Sequence, residues 1–154
     1  MLSYILIVMW IVVGVVFLCY MIAHTLNYLD QLDSMSSSFL MSSGWDAYMN
    51  YYFATAFILY LGITIFAFLL AYGTFLKKSW SWLIGIMLSS FLGFFAYTGI
   101  QTIGTYFFMD RWDTAFSSLY SALAIISYIV MIIVVPCLLF ILLRHEIKAY
   151  FGKT

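Results

Sequence analysis

Every Asp, Glu, Lys and Arg in this chain falls into one of four clusters, and the intervals between them carry no formal charge. The clusters are Asp30, Asp33 and Asp46; Lys77 and Lys78; Asp110, Arg111 and Asp113; and Arg144, Glu146, Lys148 and Lys153. The charge-free intervals are 1–29, 47–76, 79–109 and 114–143, each 29 to 31 residues long. A membrane span needs about 20 apolar residues at 1.5 Å rise. Each interval therefore holds one span with its flanks and is too short for two. Composition agrees: 66% of the residues are hydrophobic and 8% charged, against about 25% charged in a soluble domain. The predicted class is an all-α integral membrane protein, a single domain with helices at roughly 2–27, 47–75, 80–107 and 115–147. The first interval lacks a basic leader and a small-residue cleavage site, so it reads as a helix of the mature chain and not as a signal peptide.

Four spans bring both termini to one side. Lys77, Lys78, Arg144, Lys148 and Lys153 share that side, and only Arg111 lies opposite. The positive-inside rule then predicts a multi-pass protein of the cell membrane with both termini cytoplasmic. Trp45, Trp80, Trp82 and Trp112 sit beside charged turns, as belt residues do, while Trp10 lies well inside a span.

Residues 28–46 form the one long connection, an extracytoplasmic loop on this reading. Its serines argue against a packed element, and Phe39, Leu40, Met41 and Trp45 argue against a solvated linker. The expectation is a segment lying on the membrane surface or docked on a partner, with a headgroup tether as the plainer alternative. Helix 1 is expected to end before Asp30 and Asp33, or these acids to have partners, because acids are unfavourable at the negative end of a helix. Ser43 and Asp46 suit the start of helix 2.

Small and polar residues repeat on one face of the later helices. Gly85, Ser89 and Gly93 step by four in helix 3, and Ala96 continues the row. Ala56, Tyr60, Thr64, Ala67, Ala71 and Thr74 form a stripe on helix 2; Ser117, Ser121, Ala124 and Tyr128 form one on helix 4. These faces are expected to meet other helices, because small residues let backbones approach closely in lipid. Pro136 should bend helix 4 near its end, and the tail beyond it reads as an amphipathic extension of the same helix. Cys19 and Cys137 differ in depth by roughly 13 Å, which excludes a disulfide within one chain; both are expected to be inert buried thiols.

No acid or base sits in the middle of a span. Pumps and ion-coupled transporters usually keep one there. The remaining polar groups gather toward one end: Tyr20, His24 and Asn27 on helix 1, Asn50 to Tyr52 on helix 2, Gln101, Thr102 and Thr105 on helix 3. His24, Tyr20 and Gln101 are the candidates for holding a quinone or lipid headgroup, against the plainer reading of interfacial polar groups satisfied among themselves. A metal held by His24, an Asp and Met35, Met41 or Met109 is the weakest alternative, because a lone histidine is no ligand signature. His145, the other histidine, lies at the opposite face, so no pair is available to bind haem. RHEIK at 144–148 is followed by Ala149 and so is not a HExxH motif.

In size and charge distribution the chain resembles four-helix anchors and accessory subunits of respiratory or oxygenase complexes. That likeness is compositional and carries no residues across. The function expected is a non-catalytic accessory or structural subunit of a multi-subunit membrane complex, such as a respiratory or other oxidoreductase complex. No enzyme activity and no cofactor are expected in this chain. The expected partners are other integral membrane subunits and bound lipids, and zero net charge argues against nucleic acid. The alternatives are a self-assembling channel or small transporter, and a structural protein of a membrane-bearing particle.

Overall fold

The computed structural model describes residues 2–36, 43–108 and 119–152. The described residues form four long helices, α1 (Leu2–Ser36), α2 (Ser43–Phe75), α3 (Ser79–Phe108) and α4 (Leu119–Leu143), and a short α5 (His145–Tyr150). Within α1 to α4, the segments Leu2–Asp30, Asn50–Phe75, Ser79–Thr105 and Ala122–Leu143 are each long and apolar enough to cross a membrane. The chain is a multi-pass membrane protein.

The helices pack around a ring in chain order. α1 lies against α2 and α4, and α3 lies against α4, while α2 and α3 make the sparsest contact of the four neighbouring pairs. Across the centre, Phe17 of α1 meets Phe95 of α3 edge-on, with ring centroids 5.6 Å apart. On α2 and α3 burial follows the stripes read from the sequence, whereas on α4 Ala124 and Tyr128 are only half-buried and the buried face carries Ile125, Ser127, Met131 and Val135. Thr64, Ala67, Ala71 and Thr74 of α2 are buried, as are Ser89 and Ala96 of α3. The outward faces carry large apolar side chains such as Val8, Ile58, Phe66, Met87 and Phe94. In water such a surface would aggregate; in lipid it is the solvated one.

Hydroxyls within the spans are mostly absorbed locally. Thr25, Thr64, Ser90 and Thr102 each donate to the carbonyl four residues earlier, as Met21, Tyr60, Ile86 and Thr98 respectively. This back-bonding removes the cost of an unpaired polar group in hydrocarbon.

At the end of the bundle that carries the α2–α3 turn, three features set the packing. The turn itself is a Schellman cap: Lys77 N–H donates to Thr74 O (3.1 Å) and Lys78 N–H to Gly73 O (2.9 Å). Lys77 sits at the left-handed position, with φ 55°. Trp82 Nε1 donates to Leu142 O at 2.8 Å, supplying a partner to one of the carbonyls that the end of α4 leaves open. Trp82→Phe should cost about 1 kcal/mol, read as a shift in reversible unfolding in mixed micelles.

Three local readings of the sequence differ from the structure. α1 does not end near residue 27 but continues to Ser36, past Asp30 and Asp33. No Gly or Pro lies between Tyr28 and Ser36 to break it, so the helix outlasts its apolar segment. The long connection is correspondingly shorter, and Phe39, Leu40 and Met41 lie outside the described residues, as does the side chain of Trp45. α4 runs through Pro136, yet the tail does not extend it. Arg144 adopts an extended conformation (φ −65°, ψ 140°), and α5 turns to pack on α1. The reason is burial: the break lets Ile147 and Phe151 join the core, with Leu2 packed against it. The Arg144 guanidinium meanwhile stacks on Phe140, 4.9 Å from the ring centroid. Finally, Cys19 and Cys137 are free and exposed, not buried. They occupy the outer face, where lipid accepts a thiol as readily as a core does.

Candidate functional site

Polar and aromatic groups converge in the half of the bundle away from the α2–α3 turn. His24 of α1 is 5% exposed. Its ring stacks on Phe53 (5.5 Å, 18°) and stands edge-on to Tyr52 (6.0 Å, 70°) and Tyr60 (5.7 Å, 90°), all from α2. One layer further out, Tyr28 stacks on Phe53 at 4.1 Å and its hydroxyl donates to Asn50 Oδ1.

One layer further in, Tyr60 also stands edge-on to Tyr20, with centroids 4.8 Å apart. Tyr20 in turn faces Tyr128 of α4 at 6.5 Å. The hub is thus Tyr60, which touches both His24 and Tyr20. Edge-on arrangements of this kind suit the quadrupoles of the rings.

Beneath Tyr20 and Tyr60 lies a cavity of about 40 Å³, partly open, to which all four long helices contribute. Phe17, Tyr20, Tyr60, Phe95, Ser127 and Tyr128 form most of its wall. Close approach of α3 and α4 closes one side: a Cβ on Gly99 would fall 2.9 Å from Tyr128 Cβ.

The three candidates from the sequence separate. His24 and Tyr20 belong to one cluster through Tyr60. Gln101 does not join them; it is exposed on α3, and its Nε2 donates to Tyr97 Oη at 2.8 Å. Among the described residues no three His, Cys, Asp or Glu side chains come together as a metal site would need. Met41 and Met109 lie outside the described residues, as does the side chain of Met35.

The packing candidates also separate. Gly85 lies under Trp10 and Leu142, with its would-be Cβ 3.2 Å from the Trp10 ring. Ser89, Ala67 and Ala71 are buried, and Ala124 is half-buried. Gly93 meets nothing within 4 Å. The side chain of Ser121 lies outside the described residues. Tyr60 and Tyr128 stood in the stripes read from the sequence, but nothing in those stripes showed that they meet Phe17 and Phe95 around one cavity.

The arrangement is an aromatic cluster over a small apolar cavity, able to hold or order an apolar group. The chain matches no family model, and neither curated proteins nor solved structures show a match to it.

Proposed function

We propose that this chain is a non-catalytic accessory or structural subunit of a larger membrane complex, of the respiratory or other oxidoreductase kind. Both termini would face the cytoplasm, and the α1–α2 connection would dock on an extracytoplasmic surface. The observation that carries the reading is the state of the small-residue notches. Gly14, Gly73, Gly85 and Gly99 are filled by neighbouring side chains within the bundle, whereas Gly62, Gly93 and Gly104 have nothing within 4 Å. Small residues admit close helix approach in lipid, so three unfilled notches on α2 and α3 suit the helices of other subunits. The absence of any acid or base from the middle of the spans fits a role in packing better than one in ion coupling.

Native mass spectrometry after gentle extraction from the chain's own membrane tests this. The expected result is a defined assembly with other integral membrane chains. Gly93→Leu should lower recovery of that assembly while the chain itself stays folded. A folded monomer, or an oligomer of this chain alone, would refute the proposal.

A further inference from the structure

The cavity under Tyr20 and Tyr60 has a size, a lining and an opening that together select an occupant. At about 40 Å³ it is far below the roughly 150 Å³ of an apolar cavity that takes benzene. A quinone ring or any other six-membered ring is too large. The wall is mainly apolar, with Val16 and Met131 completing the aromatic lining.

The opening follows from the helix packing. α1–α2, α1–α4 and α3–α4 are closely packed, and α2–α3 is the thin seam. Close approach across that seam is seen at the turn, where Gly73 lies under Trp80 and Ser81. Further along it, α2 contributes Tyr60 and α3 contributes Phe95 to the cavity wall. What stands outside that seam in a four-span protein is the hydrocarbon of the bilayer.

We infer that the cavity is a lateral slot for the end of one membrane-lipid acyl tail, which enters between α2 and α3 past Tyr60 and Phe95. Water is the competing occupant of the right size. A buried water needs two to four polar partners. The polar side chains of the wall are Tyr20, Tyr60 and Tyr128, whose hydroxyls sit on the rims of aromatic rings, and Ser127, which is 8% exposed. A mainly aromatic wall favours methylenes, whose transfer from the bilayer leaves no polar group unpaired. The inference rests on the spans and the cavity, and is independent of the accessory-subunit proposal.

The test uses Met131, which lines the cavity and is only 2% exposed, with Met87, 65% exposed on the outer face of α3, as the reference. The whole chain is deuterated except for ¹³C-methyl methionine and placed in bicelles of protonated dimyristoyl phosphatidylcholine. Nuclear Overhauser cross-peaks are then read from each methyl. Met87 sees acyl protons in any case. If the tail occupies the slot, Met131 shows acyl cross-peaks too, and these vanish with tail-deuterated lipid. Val16→Phe fills the slot and should abolish the Met131 peaks while leaving those of Met87. A Met131 methyl that sees water, or neither water nor acyl protons, overturns the inference; this reading on the unmodified chain decides it even where Val16→Phe fails to fold.

Discussion

Trp10→Ala is expected to destabilise the bundle by about 3 kcal/mol, the lower end of the range for removing a buried aromatic. Trp10→Phe should cost no more than about 1 kcal/mol. Trp10 is fully buried among Leu6, Leu70, Leu138 and Leu142 in the core cluster, and its ring covers Gly85. The lower end applies because the separated helices already lie in lipid, so the hydrophobic transfer contributes little. What is lost is dispersion and the void left behind. The contrast with Phe arises from the indole N–H, which has no hydrogen-bond partner among the described residues. Phe removes that unpaired donor together with part of the volume, and the two effects oppose one another. Steric trapping of the two variants in bicelles measures both numbers. A Phe variant as unstable as the Ala variant would mean that the N–H does have a partner.

Gly99→Leu is expected to cost about 3 kcal/mol, at the upper end for overpacking, while Gly93→Leu leaves bundle stability within about 0.5 kcal/mol, as surface changes do. Both glycines lie on α3. The added Cβ at Gly99 would fall 2.9 Å from Tyr128 Cβ and Cδ1. Tyr128 Cβ is bonded to the α4 backbone and cannot swing away, so the helices must separate. At Gly93 nothing lies within 4 Å. The same unfolding assay compares the pair directly. Equal losses would show that the space beside each glycine does not govern the effect; helix propensity would not account for them, because glycine is the poorer helix former and propensity alone would make both changes stabilising.

How much of this was legible beforehand depends on the physics involved. The four spans follow from the clustering of twelve charges, because lipid tolerates an ionised group poorly and the penalty is read residue by residue. The buried stripe of α2, from Ala56 to Thr74, follows from spacing alone. The end of α1 was misjudged because the clue was polarity, and a helix leaving the membrane does not need to stop there. The turn at Arg144 was missed because it depends on where Ile147 and Phe151 can be buried, which is a fact about the whole bundle. The cavity was invisible for the same reason: Phe17, Tyr60, Phe95 and Tyr128 come from four helices, and no pattern within one helix relates them. Gly93 looked equivalent to Gly85 by spacing, yet one lies under Trp10 and the other in open space.

Lys77 carries a further consequence. It holds the left-handed cap of α2, φ 55°, where a glycine would be relaxed and a side chain costs roughly 1 kcal/mol. Its folded-state return is modest, an ammonium 5.3 Å from the Tyr150 ring centroid. Its larger effect comes earlier. Lys77 and Lys78 carry all the charge between the second and third spans, and basic residues in short connections set how a nascent hairpin is threaded into the membrane. The glycine that would make this turn more stable would also halve the charge that orients it. By the positive-inside rule insertion and stability favour different residues at this position, and a Lys77→Gly variant is expected to be the more stable one and the less uniformly oriented.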